Sequence, residues 1–237
     1  EISSIALGGL GASEISAYDP STKKLFVVNN SSVNKIDVID YANPASPKLI
    51  TSILMAPYGG FVNSVAVANG KLAAAIEATN KQANGKCVIF NTVDLSEIKQ
   101  VTVGALPDMV TFSPDGNIIM TANEGEPSDD YTVDPEGSIS IISINAGYAV
   151  KTLNFAGFEP YAAILKAKGF RVFGKGATLT KDVEPEYITI SADSKTAWVT
   201  LQENNGIAKV DLNTQNITDV FPLGFKDYST LNNAFDF

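Results

Sequence analysis

Apolar and polar residues alternate in short stretches along the chain, with the period of two that half-buried β-strands show. Four stretches share one pattern, an alternating run that ends in a turn, at residues 14–20, 63–70, 108–116 and 186–193. Second strands are predicted at 24–28, 71–76, 118–122 and 196–201. Third strands are predicted at 35–40, 87–90, 138–143 and 207–211, and fourth strands at 49–54, 98–103, 150–155 and 217–221. The chain therefore contains four in-phase copies of one four-stranded unit.

Residue pairs typical of tight hairpins lie between these strands. Asn69-Gly70 and Asp115-Gly116 stand between first and second strands, and Asn84-Gly85 and Asn205-Gly206 between second and third strands. Asn-Gly and Asp-Gly readily adopt the positive φ that two-residue turns require. We therefore expect hairpins at all four places.

The spacing of the copies indicates the architecture. The equivalent positions are Tyr18, Val67, Phe112 and Ile190, with separations of 49, 45 and 78 residues. The first two separations match a propeller blade, and the third matches one blade plus an insertion of about 30 residues. Within that insertion residues 159–168 read as a short helix, with Pro160 in the first turn and Gly169 at its end.

Four-stranded sheets repeated in this way form a β-propeller. A β-sandwich also has short strands, but it would not show four in-phase copies of one unit. We therefore predict one all-β propeller domain over residues 1–237, with blades at about 12–55, 57–104, 105–156 and 183–224 and a helical insertion at 157–182.

The chain has features of an incomplete ring. Residues 2–7 resemble a fourth strand without its partners, and the tail after Phe221 is too short for three more strands. Open sheet edges favour aggregation. We therefore expect the chain to be part of a longer propeller of seven blades. A compact four-bladed ring is the alternative.

Charge narrows the choice of partners. The 237 residues include 17 basic and 26 acidic side chains, for a formal net charge of −9. An acidic chain without a basic patch is repelled by nucleic acid, which we therefore exclude as a partner. No run of about 18 apolar residues is present, so we expect no membrane span.

Missing residue types exclude several kinds of site. The chain has no histidine and one cysteine, Cys87. An intramolecular disulfide, a Cys/His zinc site and Ser-His-Asp catalysis are therefore impossible within it. We expect no nucleotide and no haem. Cys87 and Trp198 are both interpreted as core residues.

Two long segments, residues 103–116 and 122–138, resemble the choice-of-anchor I family, and 182–187, 197–204 and 222–227 extend the similarity. The resemblance implies a bacterial secreted or surface propeller with repeats similar to YVTN and WD40 repeats, in an extracellular, cell-surface or periplasmic location. Some family members carry phytase-like labels. The resemblance implies no single reaction.

The repeat places polar residues at one mouth of the propeller channel. First strands begin at Glu14, Asn63, Asp108 and Glu186, and second strands end at Asn29, Glu77, Asn123-Glu124 and Gln202-Glu203-Asn204. Calcium takes six to eight oxygen ligands of these kinds. The predicted metal ligands are Glu14, Asn63, Asp108, Glu124, Glu186 and Glu203. The predicted ligand contacts are Asn29, Glu77, Asn123, Gln202 and Asn204. A hydrated polar channel without a ligand is the alternative.

The loop at 124–136 is rich in carboxylates. It is either a solvated loop or a segment folded over the channel that contributes oxygens to a metal. We favour a non-enzymatic binding module for a protein, glycan or small molecule, with calcium at the channel mouth. The alternative is a calcium-dependent hydrolase, either a phytase-like phosphoesterase or a lactonase-like enzyme.

Overall fold

The computed structural model describes residues 1–229, which form four antiparallel four-stranded sheets with strands in chain order. Blade 1 comprises β1 (Ala12–Asp19), β2 (Lys24–Asn29), β3 (Lys35–Asp40) and β4 (Lys48–Leu54). Blade 2 comprises β5 (Val62–Ala68), β6 (Lys71–Ile76), β7 (Asn84–Asn91) and β8 (Glu97–Ala105). Blade 3 comprises β9 (Pro107–Phe112), β10 (Ile118–Asn123), β11 (Ser138–Ser143) and β12 (Ala149–Leu153). Blade 4 comprises β13 (Pro185–Ile190), β14 (Thr196–Leu201), β15 (Gly206–Asp211) and β16 (Asn216–Pro222). The predicted all-β propeller fold is confirmed.

The first strand of each blade is the innermost one. β1 contacts β5, β5 contacts β9, and β9 contacts β13. Within residues 1–229, β13 makes no comparable contact with β1. The four blades therefore form an open arc, and the mouth residues of blades 2, 3 and 4 lie along its inner side.

Strand alternation explains how neighbouring blades pack. On β6, Leu72, Ala74 and Ile76 face a core shared with blade 1, whereas Ala73 and Ala75 face a core shared with blade 3. Because side chains on a strand alternate between faces, one apolar strand supplies both interfaces. The largest core lies between blades 3 and 4 and also takes in residues of the insertion.

The insertion is more irregular than the predicted helix. A 3-10 segment (Ala156–Tyr161) leads into α1 (Ala162–Ala167), and α2 (Leu179–Asp182) follows. The Glu159 carboxylate accepts hydrogen bonds from the backbone N–H groups of Leu179 and Thr180, at 3.3 and 2.9 Å. This contact ties the two helical parts together and holds Leu165 and Leu179 in the core. No helix in residues 1–229 has the length and apolar character needed to cross a bilayer.

The turn predictions hold in part. Asn69 and Gly70 have φ values of 48° and 72°, as a tight hairpin requires. The turn predicted at Asn84-Gly85 is wrong, because both residues lie inside β7. A Cβ on Gly85 would stand 2.5 Å from Pro107 Cδ, so this glycine permits close packing of blade 2 on blade 3.

Two core predictions have different outcomes. Cys87 is fully buried, and burial raises its pKa to about 12, as expected of an inert thiol. Trp198 was expected in the core but is 38% exposed. Its neighbours Ala197 and Val199 face blade 3, so Trp198 lies on the far face of blade 4, which no blade of the described residues covers.

Residues 2–7, predicted as a fourth-type strand, pair with no strand in the described part of the chain. They lie beside blade 1, where Leu7 O accepts a hydrogen bond from Asn29 Nδ2 at 2.9 Å.

Candidate functional site

Carboxylates from blades 3 and 4 gather at one mouth of the channel. Glu124-Gly-Glu126 directly follows β10, whereas Glu184 stands just before β13 and Glu186 is its second residue, so two acidic pairs lie on neighbouring elements that contact each other. We call this group the acidic mouth, and its members are Asp108, Glu124, Glu126, Glu184, Glu186 and Glu203.

Burial and mutual repulsion raise several pKa values in the acidic mouth. Glu124 has its pKa raised to about 8, first by burial and then by the nearby charges of Asp108, Glu126, Glu184 and Glu186. Burial, followed by the charge of Glu203, raises the pKa of Glu184 to about 7. These groups hold protons near neutral pH unless a cation compensates their charge.

The carboxyl groups of Glu186 and Glu203 are in hydrogen-bond contact. The pKa of Glu186 is raised to about 7, first by burial and then by contact with the Glu203 carboxyl group. The Oε2 atom of Glu203 is shielded from solvent and has no hydrogen-bond donor within residues 1–229. Two carboxylates offer only acceptors to each other. A shared proton or an external cation is therefore the natural partner at this point.

One lysine of blade 2 reaches the acidic mouth. Lys81 forms an ion pair with Glu126, and Gln82 Nε2 donates to Glu126 O at 3.4 Å. Glu77 lies nearby and is almost fully buried. Burial is the main cause of its raised pKa, which the N–H of Phe61 and the charge of Lys81 partly offset. Lys81 therefore joins blade 2 to the acidic loop of blade 3.

Two glycines fix the base of the acidic loop. Gly125 has φ of 72°, and a Cβ there would stand 2.7 Å from Gly137 N. A Cβ on Gly137 would stand 1.8 Å from Val183 O, just before Glu184. Further out, Asp134 is 3.8 Å from Lys181 Nζ of the insertion. The loop is therefore tied to blade 2 at one end and to the insertion at the other.

Asn204 organises the blade 4 side of the site. Its Nδ2 donates to Asp182 O at 2.7 Å and to Asp182 Oδ2 at 3.1 Å. Its Oδ1 accepts from Glu184 N at 3.0 Å. The Asp182 carboxylate in turn accepts from the backbone N–H of Phe173 at 3.1 Å. One buried amide thus fixes the positions of both Glu184 and Phe173.

A cleft of about 420 Å³ opens between the acidic loop and the insertion. It is lined by Glu124, Glu126, Pro127, Ser128, Asp129, Tyr131, Phe173, Glu184 and Glu203. Five of these side chains are carboxylates and two are aromatic, so the cleft combines negative charge with apolar ring surface.

The structure brings only some of the predicted metal ligands together. Asp108, Glu124, Glu186 and Glu203 lie in the acidic mouth. Glu14 is exposed on β1. Asn63 Nδ2 donates to Pro107 O at 3.1 Å, which ties blade 2 to blade 3. Calcium ligation by these residues stays a prediction.

Most of the predicted ligand contacts lie inside hydrogen-bond networks. Asn29 donates to Asp37 at 2.6 Å, and Asn123 donates to the hydroxyls of Ser138 and Ser140 at 3.2 and 3.0 Å. Both amides are fully buried, as is Asn204, whereas Gln202 is exposed. Their role as ligand contacts stays a prediction.

The oxygen donors suit calcium in type, but their arrangement does not. No three acidic or cysteine side chains in residues 1–229 converge closely enough to hold a metal ion. Calcium prefers six to eight oxygens around one point. The carboxylates of the acidic mouth are therefore dispersed and do not surround one ion position.

Sequence reasoning missed four residues of the site, namely Lys81, Tyr131, Phe173 and Glu184. The repeated acidic pairs at 124–126 and 184–186 carried a signal for Glu184. No local pattern marked the others, because their place in the site depends on contacts between blade 2, the acidic loop and the insertion.

A comparison with protein-family models tests the family resemblance that segments 103–116 and 122–138 suggest. The family model described as the choice-of-anchor I domain matches residues 14–237. The chain belongs to the choice-of-anchor I family. Together with the propeller fold, membership in this family indicates a surface propeller module. No curated protein matches this chain in sequence.

Solved structures resemble this choice-of-anchor I domain in fold alone. The Cps50 (Swd1) β-propeller domain of Myceliophteria thermophila has a TM-score of 0.59 and 11% identity, over 93% of this chain and 57% of that one. A nidogen/laminin complex gives a TM-score of 0.50 and 14% identity, over 87% of this chain and 62% of that one. Kuenenia stuttgartiensis hydrazine synthase gives a TM-score of 0.49 and 13% identity, over 90% of this chain and 75% of that one. The chain thus spans less than two thirds of the first two matched chains.

Proposed function

We propose that this choice-of-anchor I domain is an extracellular, surface-anchored binding module that takes a positively charged ligand at its acidic mouth. The family supports the surface location, and the open cleft supports binding. The charge of the ligand follows from the carboxylates that line the cleft.

The observation that carries the proposal is the contact between Glu186 and Glu203. Burial raises the pKa of Glu186, contact with the Glu203 carboxyl group raises it further, and Glu203 Oε2 has no donor in the described residues. A buried acceptor without a donor costs about 1–3 kcal/mol. A bound cation would remove this cost and replace the shared proton.

Calcium is one such cation. The carboxylates are suitable donors, but several would have to move to surround one ion, because no three of them converge within residues 1–229. We therefore propose a binding site for cations in general, and calorimetric titration with calcium tests whether calcium is among them.

The hydrolase alternative has less support. A phosphomonoester is an anion and needs cationic groups around it. Among the described residues that line the cleft, five are carboxylates and none is lysine or arginine. Phosphate would therefore need a cation already bound to these carboxylates, and the described residues offer calcium no convergent group of three, so the binding module is the function we advance.

Isothermal titration calorimetry tests the proposal. Chelator-treated protein is titrated with calcium chloride and, separately, with n-butylammonium chloride, at about pH 9 and low salt, so that the carboxylates, including Glu124, are ionised and unscreened. We expect at least one cation to bind with a fitted one-site isotherm. Glu184→Gln combined with Glu203→Gln should weaken binding by roughly tenfold or more.

The control removes the same charge elsewhere. Glu1 and Glu97 are exposed side chains outside the cleft, so Glu1→Gln with Glu97→Gln should leave binding unchanged. If neither cation binds the wild-type protein, or if both double variants behave alike, the proposed function is wrong.

A further inference from the structure

The cleft beside the acidic mouth has features that no simple metal site needs. We propose that it recognises an organic ammonium ion that carries N–H donors, such as a protonated primary amine on a small molecule. This inference rests on the proposed function and names the class of cation that the site accepts.

The size of the cleft is the first argument. Small-molecule sites commonly enclose about 300–1,000 Å³. At about 420 Å³, the cleft falls within that range and greatly exceeds the space of one dehydrated ion. An alkylammonium group with its carbon substituents is a suitable size for it.

Aromatic walls are the second argument. Tyr131 and Phe173 line the cleft, and they remain 49% and 63% exposed. The face of an aromatic ring attracts cations, and organic ammonium ions gain most because their alkyl groups also pack on the ring. Exposed rings beside carboxylates therefore match a ligand that is both cationic and apolar.

Hydrogen bonds fix the backbone that carries each of the two rings. Tyr131 N donates to Ser128 O at 2.7 Å, and Ser128 N donates to Val133 O at 2.8 Å, which closes a compact turn. The backbone N–H of Phe173 donates to Asp182, which Asn204 holds. The rings are thus presented by fixed backbone segments, which lowers the entropy lost on binding.

The protein itself shows what the acidic mouth accepts. Lys81 places an alkylammonium group on Glu126, and the hydrogen bond to Glu126 raises the pKa of Lys81. An ammonium group needs acceptors within hydrogen-bond reach but no fixed coordination number. Dispersed carboxylates can satisfy it, whereas the described residues offer calcium no convergent group of three.

One carboxylate group of the cleft has an oxygen without a donor among residues 1–229. Glu203 lines the cleft, and its Oε2 is shielded from water without any donor in the described residues. An N–H donor of a ligand would satisfy it, so the unpaired oxygen, the ring surfaces and the cleft volume all indicate the same class of ligand.

The test compares ligands on the whole chain by calorimetry. The probes are n-butylammonium, tetramethylammonium and calcium chlorides, with 1-butanol as the neutral analogue of the amine. We expect n-butylammonium to bind more tightly than tetramethylammonium, which has no N–H donor for Glu203, and 1-butanol not to bind. Binding of butylammonium should release protons at neutral pH, because the cation displaces them from the acidic mouth.

Substitutions of the two aromatic residues distinguish binding by the rings from binding by the carboxylates alone. Tyr131→Leu and Phe173→Leu keep an apolar side chain but remove the ring, and each should weaken ammonium binding roughly three- to tenfold. Neither change should alter calcium affinity. Tyr161 is equally exposed but lies outside the cleft, so Tyr161→Leu is the matched control and should have no effect. Far-ultraviolet circular dichroism confirms that each variant is folded.

The outcomes distinguish this inference from the function it rests on. Calcium binding that depends on Glu184 and Glu203, without any ammonium binding, would preserve the proposed function and refute recognition of an organic ammonium ion. Ammonium binding that both leucine variants retain would also refute it. Absence of binding by every cation would refute both proposals.

Discussion

The Oδ1 atom of Asn204 accepts a hydrogen bond from the backbone N–H of Glu184 at 3.0 Å. Asn204 lies after the second strand of blade 4, and Glu184 lies just before the first strand, so the bond closes the blade at its inner edge. The same side chain donates to Asp182, which holds Phe173. A single amide therefore links blade stability to the geometry of the cleft.

Replacing Asn204 by alanine should lower the free energy of unfolding by about 2–4 kcal/mol, because several buried polar groups lose their partner. Urea denaturation measures this loss. Asn213→Ala, at an exposed turn of the same blade, should change the free energy of unfolding by less than about 0.5 kcal/mol. Equal effects of the two substitutions would contradict the central role of Asn204.

The acidic mouth should make the protein less stable as pH rises. The pKa of Glu124 is raised from 4.5 to about 8, so between these values the folded protein holds a proton that the unfolded chain has lost. The free energy of unfolding therefore falls with increasing pH across this window. Below this pH window the Glu124 carboxyl is protonated in both the folded and the unfolded protein, so it does not make the free energy of unfolding depend on pH.

Glu124→Gln should remove much of that loss and raise the free energy of unfolding at about pH 8 by about 1–2 kcal/mol, with little effect at about pH 4.5. Denaturant titrations across the pH series measure both values. Asp19 has its pKa lowered to about 2 and titrates below this window, so it does not obscure the result. A wild-type stability that is flat between these pH values would show that the carboxylates do not interact as described.

Lys81 should stabilise the protein through charge at the acidic mouth. Lys81→Met removes the ion pair with Glu126, so the free energy of unfolding should fall by about 0.5–1 kcal/mol at low salt. Because both side chains are partly exposed, salt at about 0.5 M should abolish most of the difference. Lys99→Met, on the exposed strand β8, provides the comparison. A salt-independent loss would instead indicate a packing effect of the Lys81 stem.

Gly137 should tolerate no side chain. A Cβ there would stand 1.8 Å from Val183 O, so Gly137→Ala should displace the acidic loop from blade 4 and lower the free energy of unfolding by about 3 kcal/mol or more. Gly157 has open space around its Cα, and Gly157→Ala should be nearly neutral. Thermal unfolding of the two variants measures the contrast. A neutral Gly137→Ala would mean that the loop does not pack against Val183 in solution.

The repeat made the blades predictable, whereas the site depends on contacts that a repeat does not encode. β14 was placed at 196–201 from its alternation, and it has those limits. The Asn84-Gly85 pair predicts a turn wrongly, because local residue types do not show that Pro107 packs on Gly85. Asn204 was assigned to the channel because the alignment locates a residue at a strand end but not the direction of its side chain. Lys81 and Phe173 approach the acidic mouth from segments far apart in sequence, so only the folded chain brings them together.

Trp198 is the single tryptophan of the chain, and it lies on the uncovered face of blade 4. None of the residues lining the cleft is tryptophan. Its fluorescence is therefore a selective reporter. Covering of the far face by another protein surface would shift the emission to shorter wavelength, while occupation of the cleft would leave the emission unchanged. Two binding events on one domain can thus be followed separately without any added label.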